Sequence, residues 1–325
     1  MKSFRTVLLL ALVMGLASPS TGLAAAGLAQ QAAAIGATIE RQRLWVPIDL
    51  VRPTQTHIGR ENVQVSGDDM VKEAGSRPMD EYLRKRFASN PLPAVRGPDG
   101  KFYLTDGHHR ATAIEEIYRD LVPGKQAEIH ILVIRDFKAE GADARTFASW
   151  MLAENKAYIA PEVRERARRE TGMQEPTPEV LFERYIPKTF RALADSPMRS
   201  AVGNVLHGYD QRAKAKKVPF KTEQLKEYIE FLIGEKLTAE GITVEEGAER
   251  EPETVKRIEA ALYRDPSFLR ESYRRMVKRD DLTEANRQAV SAMVNFMQAD
   301  YESRNPRHIE APAPAPAGKP VAPAL

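Results

Sequence analysis

FYLTDGHHRATAI, residues Phe102–Ile114, joins a short extended run to a helical one through an Asp, a Gly, two His and an Arg. A strand through Lys101–Thr105 delivers the chain to Asp106-Gly107, where glycine permits a sharp or positive-φ turn. The helix expected to follow starts near His108 and sets Ala111, Ile114 and Tyr118 on one apolar face. The first amides of such a helix lack intrahelical partners, and its dipole adds partial positive charge, so the turn is a natural anion seat. Arg110 offers a planar fork for a phosphate, and an imidazole from His108 or His109 can act as base, acid or metal ligand. Asp106 is placed to cap the helix, or to orient a histidine and bind a cation.

Working outward, LWVPIDLVRPTQ (Leu44–Gln55) alternates apolar residues and reads as a strand closed by Pro53. LPAVRGPDGKFYLTD reads as strand, turn and strand, with the reversal at Gly97-Pro98-Asp99-Gly100. EIHILVIRDF (Glu128–Phe137) is a further strand. The fold class expected is therefore α+β, a small mixed α/β domain over residues 41–138 followed by a mainly α-helical region over 139–308. In that region Thr222-Glu223 and Pro252-Glu253 mark helix starts, and Phe147, Trp150, Met151 and Tyr158 form an aromatic and apolar stripe suited to a core. Residues 309–325 form a Pro/Ala tract that cannot bury a core and is expected to be disordered. The chain has no internal repeat of fixed period.

Residues 1–26 carry Lys2 and Arg5, then an apolar run from Val7 to Ala17, then Ala24-Ala25-Ala26. That is the pattern of a cleavable signal peptide, and the run of about ten residues falls short of the roughly twenty a membrane span requires. The expectation is an exported protein, periplasmic or secreted, with no membrane span after cleavage. There is no cysteine, which excludes disulfides, thiolate metal sites and thiol nucleophiles. Setting Lys2 and Arg5 aside from the formal charge of +3 leaves the remainder near neutral. Any footprint for a polyanion must then be local, at Arg164–Arg169, Arg212–Lys221 or Arg270–Arg279, and acids flank all three.

RPTQTHIG at Arg52–Gly59, followed by YLTDGHHRATA at Tyr103–Ala113, resembles the N-terminal domain of the ParB and sulfiredoxin superfamily. The likeness is to its ParB-like nuclease branch, where an Asp-Gly-His-His element recurs. LADSPMRSA at Leu193–Ala201 is similar to that branch's second motif, Asp-x-Pro-x-Arg-Ser. The resemblance covers about Leu44–Leu237. It implies a phosphate-binding turn at Asp106, Gly107, His108, His109 and Arg110, with Pro53, Thr54 and Gln55 close to it. Where the branch continues with a Gly and a Glu-Val pair, this chain has Gly59 and then RENV, so Glu61 precedes the expected position and Asn62 occupies it. Sulfiredoxin uses a cysteine in this turn, and that reaction is closed to this chain.

Three functions follow. The first is a metal-assisted nuclease or phosphodiesterase. In it His108 or His109 is base or ligand, Asp106 is ligand or orienter, Arg110 and the helix amides stabilise the phosphate, and a divalent metal ion is the candidate cofactor. The second is a nucleotide-binding or phosphotransfer module, like free-serine kinases, with Glu61 as base. The third is a non-catalytic binding protein on the same fold. Nucleic acid or nucleotide is the partner in the first two. In the second motif, Asp195 and Arg199 stand four apart and offer a local ion pair; alternatively Arg199 reaches the turn as a second phosphate ligand.

Overall fold

The computed structural model describes residues 42–217, 229–266 and 284–306. The expected signal peptide, the Pro/Ala tract, the helix start at Thr222-Glu223, the basic run Arg270–Arg279 and the end of the Arg212–Lys221 run lie outside the described residues. The described residues belong to one compact unit.

The described residues form seven strands and nine α-helices of nine or more residues. β1 (Gln42–Pro47), β2 (Val51–Arg52), β4 (Leu92–Arg96), β5 (Phe102–Leu104) and β6 (Glu128–Asp136) form a five-stranded sheet in the order β1-β6-β4-β5-β2. β1 runs antiparallel to β6 with Gln42 opposite Val133, β4 runs parallel to β6, and β2 runs parallel to β5. β4 and β5 form the expected antiparallel hairpin. Its turn is closed by Gly97 N–H donating to the Lys101 carbonyl at 2.8 Å, with Gly100 at φ 83°. The extended reading of Leu44–Gln55 is broken at Ile48–Leu50, which turn as a 3-10 helix after Pro47.

Alternation along β4 and β5 divides two cores. Leu92, Ala94, Phe102 and Leu104 pack with Ala111, Ile114, Ile117 and Tyr118 of α3 (His108–Leu121) and with Val63 and Met70 of α1 (Arg60–Ala74). Val95 and Tyr103 face the opposite way, where Phe137 meets Phe147 and Met151 of α4 (Ala144–Ala153). α2 (Met79–Phe87) completes the first layer with Tyr82 and Leu83. Each buried Val, Leu, Ile, Phe or Met among them contributes about 1.5–3 kcal/mol of transfer free energy.

α4 is capped by the Asp143 carboxylate, which accepts from Thr146 N–H at 2.7 Å. α5 (Pro161–Thr171) follows. Trp150, Phe147 and Met151 join the aromatic core as expected, with Phe137 and Trp150 ring centroids 5.3 Å apart.

The third core is helical. α6 (Pro197–Ala215), α7 (Ile229–Ala239), α8 (Pro252–Arg264) and α9 (Glu284–Arg304) bury Val202, Val205, Tyr209, Ile233, Ile258 and Met297 together. α8 begins at Pro252 in the first turn, where its missing N–H costs nothing.

A small parallel ladder ties this helical part to the sheet: β3 (His57–Ile58) pairs with β7 (Ala194–Asp195). Around it, Asp195 Oδ1 accepts from Arg60 N–H at 2.8 Å and from Ser196 N–H at 2.7 Å. The Arg60 guanidinium donates to the carbonyls of Arg191 and Leu193 and pairs with Glu116 at 2.8 Å. Gly59 sits in the join with ordinary φ; a Cβ there would lie 2.3 Å from Ser200 Oγ. The glycine of the His-Ile-Gly run thus serves close approach of α6 to the start of α1.

Candidate functional site

Gly107 adopts φ 80°, ψ 23° and serves as the N-cap position of α3. Its Cβ would also fall 2.3 Å from Leu92 Cδ2, so both backbone angle and space demand glycine. Asp106 is exposed and accepts from Gly107 N–H at 2.6 Å, which steadies the turn itself. No side chain caps the first turn of α3, which therefore presents its opening amides outward from the helix.

The two histidines take different positions. His108 is buried; its Nε2 accepts from the Thr54 backbone N–H at 3.1 Å, so the neutral ring carries its proton on Nδ1. Thr54 in turn donates its hydroxyl to the Leu104 carbonyl. His108 is thus a strut between the Pro-Thr-Gln segment and α3. Burial first, and the Arg199 charge second, pull its pKa down to about 3.

His109, half-buried, accepts at Nε2 from Arg199 Nη1 at 3.2 Å. Burial and then Arg199 hold its pKa well below the ordinary histidine value. A neutral imidazole orients the guanidinium without neutralising it.

Arg199 reaches this point from the first turn of α6, where Ser196 caps the helix by accepting from Arg199 N–H at 3.4 Å. Its side chain is 7% exposed and lies over the Phe231 ring at 4.3 Å. The local Asp195–Arg199 pair that the spacing offered gives way to two longer-range contacts: Asp195 caps α1, and Arg199 crosses to α3.

Thr54 and Gln55 are fully buried beside this cluster. Gln55 lies between Thr54, which holds His108, and Thr56, whose hydroxyl accepts from Ala160 N–H at 3.0 Å. Both polar atoms of the Gln55 carboxamide are buried with no hydrogen-bond partner among the described residues. Leaving such a group unpaired costs about 1–3 kcal/mol.

Two other expected site residues stand elsewhere. Arg110 lies over the Phe87 ring at 4.5 Å and donates to the Asn90 carbonyl at 3.0 Å. Glu61 is bound by Arg250 and accepts from Asn204 Nδ2 at 2.8 Å.

Sequence reasoning passed over the surroundings of Arg199. A cavity of about 380 Å³ opens beside it, lined among others by His57, Tyr158, Glu162, Phe231 and Glu235. No motif flagged this cleft, because its lining comes from four separated elements. Tyr158, read as core, stacks on Phe231 with centroids 4.0 Å apart and donates to Glu235 at 2.6 Å. His130 is remote in role, stacked on Trp45 and bonded to the Phe87 carbonyl.

The donor set does not suit a divalent cation. Among the described residues no three His, Asp or Glu side chains converge as ligands. Both imidazoles of the turn already use Nε2 to accept N–H donors, one of them from a cation.

No curated protein matches the chain. Among solved structures, the crystal structure of protein Atu1540 from Agrobacterium tumefaciens is similar at 18% identity and a TM-score of 0.42, covering 74% of this chain and 94% of that one. The family model described as "Putative ParB-like nuclease" matches residues 44–231. That span holds the Pro-Thr-Gln segment, the Asp-Gly-His-His turn and Arg199, which the fold draws together, and the chain belongs to this ParB-like family.

Proposed function

We propose that this protein binds a phosphoester at the Asp106–His109 turn and hydrolyses phosphodiesters of nucleic acid there without a metal ligand set. The observation that carries the reading is the 3.2 Å contact between Arg199 and His109 at the uncapped start of α3. It gathers a buried cation, helix-terminal amides and a neutral imidazole, the three groups that phosphate binding and proton transfer require. The orphaned carboxamide of Gln55, beside the same segment, supports a polar ligand.

An anionic phosphodiester draws the Arg199 guanidinium to itself and releases His109 Nε2. With the guanidinium charge compensated, the second of the three causes that depress the His109 pKa is removed, and the imidazole becomes a better proton acceptor. His109 takes a proton from the attacking water as the new P–O bond forms. The P–O bond to the leaving sugar oxygen breaks, and that oxygen takes the proton back from His109. Arg199 and the amides of α3 stabilise the charge that builds on the phosphoryl oxygens. His108 holds the geometry through Thr54.

The test is hydrolysis of linear single-stranded DNA by the purified protein in chelator. Cleavage that falls by roughly 10²–10³ in Arg199→Gln and His109→Gln supports the reading. Intact DNA, or cleavage unchanged in both variants, overturns it.

The nucleotide-phosphotransfer alternative asks for Glu61 as base, and Arg250 with Asn204 already hold that carboxylate. Binding without turnover is the second reading, favoured by one observation: both imidazole Nε2 atoms are engaged. Phosphate binding with no hydrolysis would select it. We also take residues 1–26 as an export signal, tested by the mass of the mature chain.

A further inference from the structure

We infer that the cleft beside Arg199 is a pocket for one terminal nucleotide, so that the protein acts on the ends of nucleic-acid strands; this rests on the phosphoester reading above. Arg199 belongs to both places: its Nη1 meets His109, and its guanidinium lies over Phe231, which lines the cleft. A phosphate held at Arg199 therefore has its sugar and base delivered into this cavity.

The size suits a single unit. The cavity of about 380 Å³ lies near the lower end of the ~300–1,000 Å³ range of small-molecule sites. One nucleotide fills it, and a duplex does not enter.

Charge narrows the choice further. Arg199 is the cation at the inner end, whereas Glu162, Glu230 and Glu235 line the rest. A continuous phosphodiester backbone drawn past those carboxylates meets like-charge repulsion at each close approach. One phosphate can sit at Arg199, and the following backbone must leave.

The walls also match a nucleobase. Tyr158 stacks on Phe231, 14° between planes, and Arg199 lies over the same ring, so the edge of Phe231, the rest of Tyr158, Pro161 and Met198 give the apolar contact for a flat ring. Tyr158 donates to one oxygen of Glu235 and leaves the other to accept.

Glu162 is fixed by His57. Thr56 Oγ1 lies 3.0 Å from His57 Nδ1, and His57 Nε2 lies 3.0 Å from Glu162 Oε1. Carboxylates aimed at a base edge favour exocyclic amines, which adenine and cytosine present and thymine lacks.

Two measurements on the full chain test the inference. The first compares a linear single-stranded oligonucleotide with the same sequence closed into a circle. The linear strand is expected to yield mononucleotides at least about a hundredfold faster than the circle is cut, equivalent to roughly 2.7 kcal/mol. The second measures binding of dAMP, dTMP and inorganic phosphate to wild type and to Glu235→Gln. dAMP is expected to bind about tenfold tighter than dTMP, and Glu235→Gln to bring the two within about threefold.

A circle cut as fast as the line, or dAMP no tighter than inorganic phosphate, overturns the pocket while leaving the phosphoester reading intact. The reverse outcome separates the two as well: no hydrolysis of any strand, with the dAMP preference and its loss in Glu235→Gln retained, removes the hydrolytic reading and keeps the pocket.

Discussion

The two ends of α6 carry arginines in opposite settings, Arg199 buried and Arg212 half-buried. Near its C-terminus, Arg212 donates to Asp300 at 2.7 Å and to Glu259 at 3.0 Å. Arg304 binds the same two carboxylates, and Lys216 reaches Asp300 at 2.9 Å. Glu259 and Asp300 are almost wholly buried, and burial alone would push Asp300 up; Lys216 and Arg212 outweigh that and hold it below the ordinary carboxylate range. At the N-terminus, Arg199 faces a neutral imidazole and an aromatic ring beside a cleft. Carboxylates neutralise a cation they bind, whereas a neutral imidazole and an aromatic ring position one without cancelling its charge. The same side chain on the same helix is cement at one end and, in the proposed function, a phosphate-binding group at the other.

The largest effect expected separates these roles by stability. Arg212→Leu strands two buried carboxylates with fewer donors, and breaking a buried pair in this way costs about 3–5 kcal/mol. Urea unfolding should show that loss, with the folded fraction retaining wild-type phosphate affinity. A loss below about 1 kcal/mol would mean that Arg304 and Lys216 suffice and that the corner is less tightly closed than the distances imply.

Arg199→Gln should do the reverse. Hydrolysis falls by roughly 10²–10³, the magnitude of losing one charged stabiliser of a developing oxyanion, whereas stability falls by no more than about 1–2 kcal/mol from the lost ring contact. Equal losses at the two ends would erase the distinction.

Acid should act through the turn. His108 is neutral in the folded state down to about pH 3, whereas in the unfolded chain it takes up a proton near 6.5. Between those values the unfolded state binds more protons, so stability falls as pH drops through this window. The loss from His108 alone is about 2 kcal/mol at pH 5 relative to pH 7, and His109 shifts in the same direction. His108→Gln, whose carboxamide oxygen can still accept from Thr54 N–H, should flatten this slope in urea midpoints measured between pH 7 and 5. An unchanged slope would show that the imidazole is not held neutral by burial.

Much of the local structure was legible in the sequence. Gly97 to Gly100 specified a reversal, and Asp106-Gly107 specified a strand-to-helix turn, because only glycine accepts those angles cheaply. Ala111, Ile114 and Tyr118 marked the buried face of α3 by spacing alone. The site was only half legible. Spacing within a motif says nothing of which partner wins at long range, so Asp195 and Arg199 looked like a local pair although they serve α1 and α3 separately. The cleft was silent for the same reason: Tyr158, Arg199 and the Phe231–Glu235 turn of α7 are far apart in sequence and converge only through the β3–β7 ladder and the packing of α7 on α6.

Arg110 gives the smallest effect and the sharpest check on this point. Adjacent in sequence to His109, it shares the motif that suggested phosphate binding, yet its guanidinium lies on Phe87 and donates to Asn90. Burial, the larger influence, lowers its pKa while Asp106 opposes that shift. Arg110 therefore acts as a cover for the first core, its stem on apolar surface and its head on a carbonyl. Arg110→Gln should cost about 1 kcal/mol in stability, the worth of a half-buried cation–π contact and one hydrogen bond at its rim. Phosphate affinity and hydrolysis should stay at wild-type levels. If they fell as far as in Arg199→Gln, the guanidinium would have to swing from Phe87 to the turn on binding, and the anion seat would be built from neighbours in sequence rather than from the two halves that the fold brings together.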